Sequence, residues 1–488
     1  MTRDVTLDNP VSLKAEDEFN RWPFSHRLAA TISGFDARQG APVLGLFGSW
    51  GSGKSTVLNF VRTVLESDHS DDVIVYFFNP WLFKDTDALL LEFFAGMAQT
   101  VKAKLGSPGR KVGTLMEKYG GALNAVPLVG KGLSDLTQSL GKELASDSTQ
   151  AKRDRLVAAM REQTKKVVVL IDDLDRLDRD EIMTTLKMVR LTANFPNVVY
   201  LLAFDEERVG RVAGEAYGEA SDGRQFLEKI IQFPFALPAI GRERLASYVI
   251  GHAREVCQEA DIKIGGEEWD EFALLCRKAL LIRLNTPRQA IRYANALRFA
   301  LPLLKGEVDP FDQLIVEAVR ILHPELYAVL GSLDSFEGAT PASIMEVVGR
   351  RNPSLSVQEG DACAQITTVL LRWKRTSPKT ITDTRYHGRY FSYAVAPDDV
   401  SDAELDHLLQ VAGGQDQQRI VDNAIATLAE SRPSSLVARL PSQVQFMNLW
   451  QANRLSLALA AAGNAFNDHG SFEENATANK TAAIIAEL

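Results

Sequence analysis

Cysteine is scarce in this chain: three residues in 488, Cys257, Cys276 and Cys363, far apart and odd in number. That excludes a disulfide framework and fits a reducing compartment. The seven histidines are scattered, with no His-x-x-x-His spacing and no Cys/His cluster, so no zinc site is expected. No uncharged apolar run approaches the ~20 residues that a membrane helix needs. The opening residues Met1-Thr2-Arg3-Asp4 bring an acid where a signal peptide would begin its apolar core. The expectation is a soluble, cytoplasmic protein without membrane attachment. Positive charge is also in deficit, with a net charge of −9. This argues against a surface that coats nucleic acid throughout, while leaving room for a local basic patch. Apolar residues at 45% and charged residues at 24% are ordinary for a globular chain. A length of 488 predicts about two to four domains, each able to bury a core.

What is present begins at Gly48. Gly48-Ser49-Trp50-Gly51-Ser52-Gly53-Lys54-Ser55 fits G-x-x-x-x-G-K-[ST], and Thr56 follows it. Val43 to Phe47 before it reads as a short buried strand, and Thr56 to Leu65 as a helix. In that setting the glycines let backbone N–H groups converge on a β-phosphate, and the positive end of the helix adds to them. Lys54 can reach the β- and γ-phosphates, and the Ser55 hydroxyl can complete a Mg²⁺ shell.

Strand-like and helix-like segments alternate from about 43 to 235, which predicts an α/β fold with a parallel sheet covered by helices. Val73–Phe78, Val167–Ile171 and Val198–Phe204 read as strands; Asp85–Lys104, 180–195 and 206–217 read as helices. The strand at Val167 delivers two acids, Asp172 and Asp173, at its carboxyl end, where open α/β sheets bind ligands. Asp172 is suited to Mg²⁺, and Asp173 to orienting or deprotonating an attacking water. The acids lack the glycine of an EF-hand loop, so calcium is rejected. Asp205, at the end of the next strand, has two open readings: a γ-phosphate sensor, or the N-cap of the helix after it.

From 101 to 166 the alternation breaks, and Gly106, Pro108, Gly109, Gly120 and Gly121 argue against one long helix. Lys and Arg number 13 there against 6 Asp and Glu. Two readings stay open: a solvated insertion ending in a charged helix at Thr149–Gln163, or a docking face for nucleic acid or an acidic partner. After Pro238 the segments Arg242–Glu259, Glu267–Leu281, Pro287–Leu303 and Pro310–Leu330 read as helices, and 350–362 as a polar linker.

Taken together these stretches resemble the KAP family of P-loop NTPases, in the additional-strand division that includes AAA+ and STAND ATPases. The resemblance rests on Leu44 to Ser55, Phe78-Asn79-Pro80-Trp81, Ile171-Asp172-Asp173-Leu174-Asp175-Arg176-Leu177, Leu202-Ala203-Phe204-Asp205, Phe226 to Gln232, and Thr286-Pro287-Arg288. It covers about 20–300 and says little about the last third. It implies a sheet of order 5-1-4-3-2 and then a helical lid carrying Arg288 as a second sensor of the γ-phosphate. It places Asn20-Arg21-Trp22-Pro23-Phe24 near the adenine, and Lys229, with Arg224 as second candidate, where relatives act on a neighbour's nucleotide. Many relatives carry membrane helices between the Trp81 and Asp172 segments. Here that region is polar and basic, and relatives of this kind often occur in bacterial anti-phage operons.

The expected organisation is an NTPase domain at 1–239 with its insert at about 101–150, a helical lid at 240–349, and a mainly helical partner-coupling region at 350–488. The expected activity is Mg²⁺-dependent ATP hydrolysis, coupled to assembly or gating of a partner effector, with self-association and partners from the same operon. A nucleic-acid motor and a non-hydrolysing nucleotide-gated scaffold are the alternatives.

Overall fold

The computed structural model describes residues 9–83, 86–123, 147–217, 223–372, 377–414, 418–441, 447–463 and 483–484. They form two compact units, one from residues up to 244 together with Thr286–Arg288, the other from Leu245–Asn285 together with the residues from Gln289 on.

The first unit is built on five parallel strands: β1 (Val43–Phe47), β2 (Val73–Phe78), β3 (Lys166–Ile171), β4 (Val198–Phe204) and β5 (Phe233–Ala236). Their order is β2-β3-β4-β1-β5, which is the expected 5-1-4-3-2 read from the other edge. Successive residues of a strand point to opposite faces, and the core divides accordingly. Val167, Val169 and Ile171 join one apolar cluster with Tyr200, Leu202 and Phe204, while Val168 and Leu170 join another with Val199 and Leu201. This is why the strands read as continuous apolar runs: both faces are covered.

One face carries α1 (Trp22–Gly34) and α2 (Lys54–Asp68), through Ala29, Ile32, Val57, Val61 and Leu65. The other carries α3 (Thr86–Leu123), α4 (Asp147–Arg161) and the helix Arg179–Thr192. The chain of α3 turns at Gly106, whose φ of 62° suits a residue without Cβ. The second arm then returns along the first so closely that a Cβ at Gly109 would lie 2.3 Å from the Val101 carbonyl oxygen. A Cβ at Gly120 would lie 2.7 Å from Phe94 Cβ. The glycines that argue against a single helix therefore permit a tight helical hairpin.

This corrects the solvated-insertion reading for the described part of 101–166. Val101, Val112, Met116, Tyr119, Leu156 and Met160 are all buried against the sheet. The spacing of Val112, Met116 and Tyr119 is helical, but the surrounding glycines and lysines mask it in the sequence. The charged residues sit on the outside of this layer, where Lys102 pairs with Glu117 at 2.7 Å. Residues 124–146 of the insert lie outside the described residues.

The second unit is helical throughout its described length. Arg242–Glu259 and Pro287–Leu303 form as expected, each with its first residues in the first unit's part of the chain. The expected Pro310–Leu330 helix is two helices, Pro310–Leu322 and Pro324–Gly331. Pro324 disfavours helical geometry at the residue before it, and His323 has φ −134° and ψ 66°. The expected linker at 350–362 is shorter: residues 350–351 end the helix Pro341–Arg351, and from Val357 the chain is the helix Val357–Leu370. Its signal was a capping box, with the Ser356 hydroxyl accepting from the Glu359 N–H and the Glu359 carboxylate accepting from the Ser356 N–H. Among the described residues no helix is long and apolar enough to cross a membrane.

Candidate functional site

The parallel register brings the carboxyl ends of four strands to one edge: Phe47 pairs with Phe204, Ile171 with Leu202, and Phe78 with Ile171. Two loop contacts lock that edge. The Gly48 N–H donates to the Phe204 carbonyl at 3.2 Å, and the Asp172 N–H to the Phe78 carbonyl at 3.3 Å. Gly48, Asn79, Asp172 and Asp205 therefore start from neighbouring strand ends.

Between β1 and α2 the chain folds into the loop that the glycine spacing predicts. Gly51 (φ 77°) and Gly53 (φ 96°) occupy left-handed backbone that a side chain would strain. The Ser52 N–H and hydroxyl both donate to the Ser49 carbonyl, at 3.2 and 2.7 Å. Ser49 and Trp50 are exposed; Ser55 and Thr56 are half-buried on the first turn of α2. Arg21 braces the loop from outside, its guanidinium donating to the Ser52 carbonyl at 3.3 Å and also to the Pro238 carbonyl. Burial lowers the pKa of that guanidinium, and Asp17 partly offsets the effect. So the Asn20–Phe24 segment lies against the loop, with Trp22 packed on Phe60.

Lys54 is buried, and its ammonium has three neighbours. It donates to the Gly48 and Ser49 carbonyls at 3.0 and 3.3 Å and to Asp175 Oδ2 at 3.2 Å. Asp175 is 2% exposed. Sequence reasoning gave this aspartate no role beyond its place in the motif.

Asp172 is 4% exposed, and burial pushes its carboxyl up to about 6, with repulsion from Asp173 adding to it. Hydrogen bonds from the Ser55 hydroxyl and the Asp173 N–H act the other way. Asp173 has φ 59°, a left-handed backbone that aspartate adopts more readily than most residues. Its two oxygens are engaged differently: Asn79 Nδ2 donates a hydrogen bond to Oδ2 at 3.0 Å, while Arg176 Nε lies 2.7 Å from Oδ1 as an ion pair without hydrogen-bond alignment. Asn79 also caps the short turn Pro80–Leu82 through the Trp81 N–H.

Arg176 and two exposed tryptophans complete the arrangement. The Arg176 guanidinium carbon lies 5.1 Å from the ring centroids of both Trp50 and Trp81. Arg288 approaches Trp50 at the same distance, 5.1 Å. A Cβ on Gly51 would come within 2.8 Å of Arg288 Cβ, so the loop tip and the Thr286–Arg288 segment are in contact. Lys54, Ser55, Asp172, Asp173 and Arg288 are thus gathered around one loop.

The remaining candidates stand apart from this cluster. Asp205 Oδ1 accepts from the Glu207 and Arg208 N–H groups at 3.1 and 3.3 Å, the geometry of the N-cap reading. Lys229 is exposed in the turn before β5, away from the Lys54 and Asp172 contacts seen among the described residues. Arg224 is exposed and faces Glu206 at 3.7 Å. Asn79, Trp81, Asp175 and Arg176 join the site although the sequence alone assigns them no function. Their signal was position: each follows a buried strand at the ligand-binding edge.

The donor set suits a hard cation. A buried carboxylate and a serine hydroxyl are oxygen ligands, and Mg²⁺ commonly takes one or two such protein ligands with phosphate and water supplying the rest. Among the described residues no group of three or more histidine, cysteine or acidic side chains could hold a metal without that help.

Comparison with known proteins follows the same motifs. The KAP family P-loop domain matches residues 21–304. The phage T7 exclusion protein of Escherichia coli (strain K12) is 24% identical over 349 residues, which are 66% of this chain and 47% of that protein. The chain therefore spans about half the length of that curated relative. Among solved structures, a mutant RuvB of Thermotoga maritima is 10% identical, covers 68% of this chain and 81% of its own, and has a TM-score of 0.30. Cdc6p from Pyrobaculum aerophilum is 11% identical, with 80% and 88% covered and a TM-score of 0.31.

Proposed function

This chain belongs to the KAP family of P-loop NTPases, and on that premise we propose that it binds ATP with Mg²⁺ and hydrolyses it, coupling turnover to the assembly or gating of a partner effector in defence against phage. The observation that carries the reading is the convergence of Lys54, Ser55, Asp172, Asp173 and Arg288 on one glycine loop. The defence setting is supported by the name of the phage exclusion relative.

In this reading the loop N–H groups and the positive end of α2 hold the β-phosphate. Lys54 exchanges Asp175 for the β- and γ-phosphates. Ser55 and Asp172 would hold the metal, which neutralises phosphate charge when bound. Asp173 orients the attacking water and takes its proton while the water oxygen bonds to the γ-phosphorus and the β–γ bridging oxygen leaves with ADP. Arg288 faces the same loop and stabilises charge on the transferring group. Lys229, exposed and outside the cluster, is the candidate for a contribution from a neighbouring subunit.

Phosphate release by wild type and Asp173→Asn, each with and without DNA, tests this. The expected result is DNA-independent turnover that falls at least ~100-fold in the variant while ATP·Mg²⁺ still binds. Equal rates in the two proteins would move catalysis away from Asp173. Stimulation by DNA would favour the motor reading, for which the exposed Arg155 and Arg161 on α4 are the specific observation. In that case changing Lys152, Arg153, Arg155 and Arg161 to Glu should remove the stimulation and its steep salt dependence.

A further inference from the structure

Four motifs far apart in sequence meet through one set of aromatic and cationic contacts. Trp50 comes from the glycine loop, Trp81 from the turn after β2, Arg176 from the turn after β3, and Arg288 from the Thr286–Arg288 segment. The indoles are unusual for a phosphate cradle. Both are large and apolar, yet Trp50 is 46% and Trp81 53% exposed. Neither has a core-packing reason to be tryptophan, whereas each offers the face that attracts a guanidinium most strongly. Arg176 uses both faces' attraction while its Nε pairs with Asp173 Oδ1 at 2.7 Å.

We propose that Arg176 is a positioning residue for Asp173, and that Trp50 ties its placement to Arg288. The inference rests on the ATPase reading and deepens it. The Asp173 carboxylate is hydrogen-bonded at one oxygen by Asn79, a neutral amide fixed by its own turn, and faces the Arg176 guanidinium charge at the other. The rotation of the carboxylate, and so the lone pair offered to a water, depends on where the Arg176 guanidinium lies. That guanidinium is set by two indoles, one of which is also the surface against which Arg288 rests. When Arg288 turns from Trp50 toward a γ-phosphate, the contacts on Trp50 change, Arg176 resettles, and the Asp173 carboxylate turns with it. The phosphate is thereby read at the water-orienting group through three side chains.

The test is a set of steady-state measurements on the full chain, with ATP affinity measured separately. Arg176→Ala should lower kcat about tenfold or more with KM for ATP within about threefold, and Arg176→Lys should recover part of the loss because the charge remains. Trp50→Phe should hold kcat within about threefold and Trp50→Leu should not, since a ring face rather than bulk is required. The losses from Arg176→Ala and Arg288→Ala should be non-additive in the Trp50 background and additive in the Trp50→Leu background. Trp50 is exposed, so these changes spare the core, and unchanged ATP affinity reports an intact fold. Strict additivity in both backgrounds, or full activity of Arg176→Ala, overturns the relay alone. A wild-type protein that releases no phosphate overturns the ATPase reading and the relay with it.

Discussion

The two units bury charge in opposite ways. In the helical unit, Arg389, Arg439 and Lys379 meet Glu307, Asp399 and Asp402, three cations against three carboxylates. Arg389 reaches Glu307 at 2.5 Å and Asp402 at 2.9 Å, and the Tyr386 ring lies 5.2 and 4.4 Å from the Arg389 and Arg439 guanidinium carbons. In the sheet unit the pairing is less complete. Lys54 takes Asp175 and Arg176 takes Asp173, and Asp172 is left with a hydroxyl and an N–H. A closed network of buried charge defines how helices fit together. Here Asp172 makes no ion pair within 4 Å among the described residues and feels Lys54 only at longer range, and it is the group which the proposed mechanism assigns to Mg²⁺.

The most drastic way to sharpen this contrast is Lys54→Ala. It removes the side-chain cation of the cradle and should abolish ATP binding while the helical unit stays as stable as before. Isothermal titration giving an affinity within threefold of wild type would break the assignment. Next comes Arg389→Ala, which strands carboxylates in the closed network and should destabilise the helical unit by about 3–5 kcal/mol, the usual scale for halving a buried pair. Hydrogen exchange should localise the loss to the second unit with ATP affinity unchanged. A uniform loss across both units would mean that they do not differ as described.

The smallest effects are those of pH, and they should have opposite sign. Asp172 is held at about 6, above its ordinary 3.8. Its contribution to the stability of the metal-free protein is therefore full below about pH 4 and lost as pH rises through 6, a difference of about 2–3 kcal/mol at most. Asp172→Asn should flatten that slope in amides of the sheet unit. His323 is held at about 4, below its ordinary 6.5, chiefly by burial. Its contribution is full above 6.5 and lost as pH falls through 4, and His323→Gln should flatten the slope in amides of the helical unit. Slopes of the same sign in both units would contradict the contrast. His323 Nδ1 lies 3.2 Å from Cys363 Sγ, but burial also raises that thiol to about 11, so the pair is neutral and inert as a nucleophile.

The sheet and the glycine loop were legible in the sequence because each rests on local chemistry. Continuous β-branched runs bounded by turns specify strands covered on both faces, and glycines at the loop positions specify left-handed backbone. The α3 hairpin was not legible, since its glycines serve a close approach between two arms that only tertiary contact reveals. The Lys54–Asp175 pair and the Trp50, Trp81, Arg176 and Arg288 contacts were hidden for the same reason: 121 residues separate the first two. The break at His323 and the cap at Ser356 were local signals, a proline and a capping box, that were outweighed by the apparent periodicity and polarity around them.

The three contacts of Lys54 mean that the cradle is already occupied by its own chain. On the proposed reading, nucleotide does not fill a vacancy there but enters into an exchange in which Gly48, Ser49 and Asp175 give up the ammonium. A measured affinity is then the difference between two satisfied states, and the rate of arrival contains the time Lys54 takes to let go. At rising ATP concentration the observed association rate should level off at that release step, and Asp175→Asn, with a weaker hold on the lysine, should raise the plateau.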